Sequence, residues 1–384
     1  MKPLARAVLH AGFVLTGILT TLLGPILPAL SARWRLDDAQ AGFLFTAQFL
    51  GSLAGALSAG RIALRLGVRA AIASGFALSA AGIAIASSGP YFVGLAGIAI
   101  WGLGLGLVIP SVNLLVAELN PSRRAAALNI LNFAWGLGAV AAPPLIAATL
   151  RGKDPRPLLL GLAVMFAAAA LAVGGSRLEI AASRAAAPAA AGVWRNSWIW
   201  LTGAFLFLYV GIENGLAGWM PSYAMRVLLL PSAAMAAAQG GFWGAILAGR
   251  LLAPALLRRI TAPSLIVASL ALASLGMLLL LASTGAAILL TGAVLAGLGL
   301  AAVFPTAVAL FTERAGPQGS RVTGAVFAMA ALGGATIPWM VGAISTRSNN
   351  LRLALAAPLA CGLVMIVLQL RQPRTPGSGR LTPA

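Results

Sequence analysis

Between Tyr91 and Ala117 the chain reads YFVGLAGIAIWGLGLGLVIPSVNLLVA, a long stretch with no charged residue. About 20 apolar residues are enough for one helix to cross a bilayer. Stretches of this kind recur along the whole chain, interrupted by charges in ones, twos and threes. Only 9% of the 384 residues are charged, against roughly a quarter in a soluble domain. Such a chain cannot cover itself with a water-facing surface, so lipid must be its solvent. The net charge of +19 does not indicate a nucleic-acid partner, because the basic residues are scattered between apolar runs and not gathered on one face.

Breaks at charges, prolines and glycine clusters predict twelve helical spans. They fall near 8–30, 39–59, 68–88, 91–117, 125–150 and 157–174, then 198–221, 232–255, 262–283, 285–311, 322–345 and 351–370. The expected class is an all-α membrane protein. The first run is expected to be retained as a span, since no small-residue cleavage site ends it. The widest polar interruption divides the chain into an N-terminal bundle (1–175), a cytoplasmic linker (176–197), a C-terminal bundle (198–371) and a cytoplasmic tail (372–384). With both termini inside, 18 of the 26 Lys and Arg fall on inside segments and 8 on outside loops, as the positive-inside rule requires. RGKDPR (151–156) is the basic loop that runs against it. Cys361 is the single cysteine, so no internal disulfide can form.

The two halves echo each other. GLGLGLVIPS (102–111) matches GLGLAAVFPT (297–306) at an offset of 195, which also carries Glu118 onto Glu313. Gly51, Gly55 and Gly60–Arg61 correspond to Gly240, Gly244 and Gly249–Arg250 at an offset of 189. Glycine, proline, arginine and glutamate recurring in register indicate an internal duplication. The glycines are expected to let helix backbones approach closely, and Pro110 and Pro305 to bend their helices.

These features make the chain resemble the major facilitator superfamily of transporters over its whole length. GRIALRLGVR (60–69) is similar to that superfamily's loop between spans two and three, with Leu64 where an Asp is usual. VAELNPSRR (116–124) and LFTERAGPQGSR (310–321) resemble the acid-then-arginine ends of spans four and ten. The resemblance implies a cytoplasmic gate drawn from Arg61, Arg65, Arg69, Glu118, Arg123, Arg124, Arg250, Glu313 and Arg321. YVGIENGLAGWM (209–220) and the segment 111–139 further resemble the fucose-permease-like sugar transporters. Those carry acids inside spans one and four, where this chain offers only Thr16, Thr20 and Thr21, and Ile109. Proton coupling of that design is therefore not expected.

Of seven acids, only Glu213 lies well inside a span. Inserting a carboxylate there costs about 2.5–3.5 kcal/mol, so it must face a cavity, be protonated, or tie two helices together. No Lys or Arg is expected at its depth. Glu213 and its neighbour Asn214, with polar side chains in other spans, define the expected substrate site: Gln48, Asn113, Asn132 with Trp135, and Gln239 with Trp243. The amide–indole pairs lie three and four residues apart, on one helix face each. Asn129 and His10 are weaker candidates near span ends. No His/Cys/Asp/Glu cluster has metal-ligand spacing and no Walker loop is present, so neither a cofactor nor ATP is expected. The chain is not expected to be an enzyme. The function expected is a transporter working by alternating access, for a small neutral polar solute such as a monosaccharide. The alternative is a proton-driven exporter of amphipathic compounds. Protons or sodium are the candidate coupling ions, lipid the surrounding partner, and a monomer the expected state in the inner membrane.

Overall fold

The computed structural model describes residues 3–150, 154–176, 196–315 and 319–371. The expected linker lies mostly outside them, with Glu179, as do the tail and residues 151–153 of the basic loop. The described residues are helical, and they divide into two compact units, Met1–Ala185 and Ala186–Ala384. Eleven helices are long and apolar enough to cross a membrane, and a twelfth span arises if one bent pair is counted as one.

That pair opens the first unit: α1 (Pro3–Thr21) and α2 (Leu23–Trp34) meet at 50°. The bend has a local cause. Pro25 has no N–H to give the Thr21 carbonyl, and its ring crowds that carbonyl. Thr20 and Thr21 then turn their hydroxyls back onto Thr16 and Gly17 at 2.7 and 3.0 Å. The unit continues with α3 (Asp38–Leu66), α4 (Val68–Ser88), α5 (Tyr91–Leu119), α6 (Arg124–Leu150) and α7 (Arg156–Gly174). Asp37 caps α3 reciprocally with Gln40, and Asp38 begins the helix, buried, so the two acids are not both in a loop.

The second unit holds α8 (Ser197–Ser222), prolonged by a π-helical turn over Tyr223–Val227, then α9 (Ser232–Leu257) and α10 (Ala262–Leu281). It closes with α11 (Ala286–Ala301), α12 (Val303–Ala315), α13 (Gly319–Ser348), α14 (Leu351–Ala354) and α15 (Ala356–Leu370). The paired prolines behave differently. Pro110 sits inside the unbroken α5, whereas Pro305, like Pro25, stands three residues after a one-residue break, at Ala302, with no N–H to give the Ala301 carbonyl.

The duplication reappears as packing. Gly102 of α5 abuts the Gln48 carbonyl of α3, and Gly297 of α11 abuts the Phe242 carbonyl of α9. Gly97 and Gly104 meet α4 at Gly82 and Gly75, as Gly292 and Gly299 meet α10 at Gly276 and Ser269. Backbones can approach this closely only without a Cβ. The match ends at the second span of each half. Gly55 abuts Leu103, but its repeat partner Gly244 has nothing within 4 Å of where a Cβ would sit. Close packing at Gly244 is therefore not what the fold uses.

Gln48 knits the first unit together. Its amide donates to the Thr20 carbonyl at 3.1 Å, and its oxygen accepts from the Trp101 indole at 3.0 Å, joining α1, α3 and α5. Both groups are buried. Trp101→Phe is expected to cost about 1–3 kcal/mol, because it strands the Gln48 oxygen without its donor. Thermal unfolding in detergent checks this, and Gln48→Leu in the same background should recover part of the loss.

Candidate functional site

Glu213 has partners after all. Tyr209, one turn earlier on α8, donates its hydroxyl to Glu213 Oε1 at 3.1 Å. Arg250 of α9 brings Nη2 to 3.6 Å from the same oxygen, and its guanidinium also meets the Tyr209 hydroxyl. The expectation that no basic residue reaches this depth is thus corrected, and Arg250, expected with the gate, joins Glu213 instead.

Helix geometry explains the meeting. Glu213 lies 14 residues before Val227 and Arg250 lies 18 after Ser232, on helices running oppositely from one connection. Their Cα levels differ by about 6 Å at 1.5 Å per residue. Side chains lean toward the N-terminus of their own helix, so on antiparallel neighbours these two lean toward each other. The long arginine closes the remaining gap.

The pair also answers why so apolar a run keeps a carboxylate. At 3.6 Å and an effective dielectric near 20, the attraction is of order 4–5 kcal/mol, less where solvent screens it. That offsets much of the insertion cost of the two charges, about 2.5–3.5 kcal/mol each. The Glu213 side chain is 12% exposed and that of Arg250 34%, so the cluster is sheltered without being sealed. Aromatic rings flank it: Tyr209 stacks on Phe304 of α12 at 5.4 Å, and Phe304 meets Phe327 of α13 at 5.8 Å.

Other expected site residues fall into two groups. In the second unit, Gln239 donates to the Ala217 carbonyl at 2.8 Å, one turn along α8 from Glu213. Trp243 is buried against Phe242, and Asn214 donates to Val210 within its own helix at 2.9 Å. In the first unit, Gln48 is committed to the helix contacts described above. Asn113 and Asn132 each donate to the carbonyl four residues earlier at 2.8 Å, which occupies the NH₂ end of each amide and leaves the Oδ1 end for another group. Asn132 is exposed, Trp135 is half-buried on the same face, and Asn129 is also exposed.

Among the residues expected at the gate, Glu118 and Arg124 form an exposed pair at 3.7 Å where α5 hands over to α6. Such a pair is worth about 0–1 kcal/mol. Arg69 donates to the Ser176 carbonyl at 2.8 Å, tying the start of α4 to the end of α7. Arg61, Arg65, Arg123 and Glu313 are exposed. The side chain of Arg321 lies outside the described residues. Tyr209 and Phe304 were not expected at the site. The four-residue spacing of Tyr209 and Glu213 was the signal for the first, and nothing in the sequence singles out Phe304.

Long apolar helices in two units, with a sheltered ionic cluster in the second, define a multi-pass integral membrane protein. The Major Facilitator Superfamily profile matches residues 9–338, and the chain belongs to that family of membrane transporters, which move solutes and do not act as enzymes. Over 113 residues it is 34% identical to the 4-hydroxybenzoate transporter PcaK of Pseudomonas putida, a match spanning 28% of this chain and 25% of that protein. Its fold resembles a bacterial homologue of the human lysosomal transporter Spinster, in an inward-facing, occupied form, with TM-score 0.82, 16% identity and full coverage of both chains. A mutant of the nucleoside transporter NupG gives TM-score 0.82 at 12% identity, covering 96% of this chain and 99% of that one. A variant of the E. coli fucose:proton symporter FucP gives 0.62 at 20%, covering 96% and 98%. At these identities the structural likenesses establish the fold alone.

Proposed function

We propose that the chain carries a small polyhydroxylated solute, with a monosaccharide as the lead case, by alternating access between its two units. The carrying observation is the Tyr209–Glu213–Arg250 cluster: a carboxylate, a phenol and a guanidinium held together in apolar helices, part-open and flanked by aromatic rings. Sugar sites want this mixture, since hydroxyls need charged or amide partners and the ring face needs an apolar platform. Asn214, Gln239 and Trp243 complete the set in the second unit, and Asn113, Asn132 and Trp135 are its counterparts in the first. Gln48 acts as a strut beside them. The resemblance of 209–220 to fucose-permease-like transporters supports the same reading, as do the solutes named for FucP and NupG.

In this reading the bundles are 1–175 and 198–371, joined by the linker 176–197. The protein is a monomer in the inner membrane with both termini, including the tail 372–384, in the cytoplasm. Arg61, Arg65, Arg69, Glu118, Arg123, Arg124, Glu313 and Arg321 bias the cytoplasmic side toward closure through several individually weak contacts. Protons or sodium are the coupling ions if transport is coupled.

Counterflow of labelled monosaccharides, neutral and acidic, into proteoliposomes tests the proposal and requires no ion gradient. Exchange of at least one sugar is expected, with Glu213→Gln reducing exchange of a neutral sugar about tenfold or more. A folded preparation that exchanges no sugar overturns it.

A further inference from the structure

The Glu213–Arg250 contact is close in charge yet loose in geometry. A hydrogen bond between guanidinium and carboxylate closes to about 2.7–2.9 Å, and here Nη2 stands at 3.6 Å. Arginine presents five donors in a rigid fork. Among the described residues, the Nε of Arg250 is buried and has no hydrogen-bond acceptor. The neighbouring Tyr209 hydroxyl donates to Glu213 and meets the guanidinium, yet this leaves Nε unanswered. A buried donor without an acceptor is costly, about 1–3 kcal/mol and more when charged.

A second buried group on the same helix pair lacks its complement. Gln239 Oε1 accepts nothing among the described residues, while its amide nitrogen is fixed on the Ala217 carbonyl. Gln239 is 1% exposed. Ala217 is one helical turn from Glu213, so this acceptor sits about 6 Å along α8 from the guanidinium's anchor. The α8–α9 seam thus offers a donor fork in need of an anion and, nearer the N-terminus of α9, an acceptor in need of a hydroxyl.

We propose that the substrate of this seam is a hydroxylated monocarboxylate, with Arg250 binding its carboxylate and Gln239 accepting from a hydroxyl. This rests on the transport reading and goes beyond it, because it replaces a neutral sugar with an acidic one. The carboxylate's two oxygens match the Nε–Nη edge of the guanidinium in a bidentate fork. A dianion such as a phosphate ester would set three negative charges, counting Glu213, against one guanidinium, so a monoanion fits better. Glu213 then acts as the resident anion that holds Arg250 in place until the ligand arrives. The rings of Tyr209 and Phe304 supply the apolar platform. A sugar acid and a hydroxyphenyl acid share this chemistry, and the choice of probes separates them.

The test is equilibrium binding to purified full-length protein in detergent, with glucuronate, gluconate and 4-hydroxyphenylacetate as probes and glucose as the uncharged control. At least one acid is expected to bind at least about tenfold more tightly than glucose. Arg250→Gln should abolish that preference and Arg250→Lys should restore part of it, since lysine keeps the charge but lacks the fork. Glu213→Gln should tighten acid binding several-fold by removing the competing carboxylate, an effect that a purely structural arginine would not produce. Because Arg250→Gln leaves Glu213 without its counter-charge, the double variant Glu213→Gln/Arg250→Gln serves as a charge-balanced folded control. It too should lack the preference. The inference is overturned if glucose binds as well as every acid, if no acid binds folded protein, or if the preference survives in Arg250→Gln or in the double variant. Glucose counterflow persisting in any of those cases would leave the transport reading standing.

Discussion

Alanine at Gly55 is expected to lower thermal stability substantially, while alanine at Gly244, its counterpart in the repeat, leaves it unchanged or slightly raised. A Cβ on Gly55 would stand 3.0 Å from the Gly106 Cα and closer still to the Leu103 carbonyl. Neither is a flexible side-chain end, so α3 and α5 must separate along a contact that runs most of their length. Overpacking of this kind costs about 1–3 kcal/mol and sometimes more. On Gly244 the same atom meets nothing within 4 Å, and the change removes a helix-weakening glycine worth up to about 1 kcal/mol. Unfolding midpoints of the two variants in one detergent decide the matter. Equal effects would mean that the two halves pack alike and that the asymmetry described above is wrong.

The second large effect concerns the charge pair. Removing one partner of a sheltered ion pair costs about 3–5 kcal/mol when the survivor is fully buried. Arg250 is a third exposed, so the smaller end of that range or less is expected for Glu213→Gln, and a larger cost for Arg250→Met, which leaves the 12% exposed Glu213 behind. The double variant should lie closer to the parent than either single change predicts, with a coupling of roughly 1–3 kcal/mol in a double-mutant cycle. Strict additivity would show that the 3.6 Å contact contributes nothing to the folded state.

The two effects bear on how far a sequence of this kind can be read. The helices were legible because apolar length is a one-dimensional property: a run that must cross hydrocarbon has to satisfy its backbone internally, and only a helix does so within one segment. The bend between α1 and α2 is legible in the same local way, from Pro25. The family likeness was equally accessible, since GRIALRLGVR (60–69) and the acid-then-arginine helix ends resemble that superfamily's motifs.

The site was legible only in part. Glu213 stood out because a lone acid in an apolar run is costly. Its partner did not, and the repeat pointed the wrong way. Arg250 corresponds to Arg61, and Arg61 is exposed near the end of α3. The two arginines share a sequence position but not an environment, because span seven offers a glutamate and span one of the first half carries no acid. Gln48 shows the opposite error. A buried amide reads as a ligand group until Thr20 and Trp101 are seen to occupy both of its ends.

By itself, then, the sequence determined the solvent, the helices and the duplication, which follow from composition and periodicity along the chain, and its motifs carried the resemblance to the family. The tertiary structure decided which polar side chains are struts and which are available. That choice depends on the register and lean of antiparallel helices, which bring Glu213 and Arg250, 37 positions apart, to 3.6 Å.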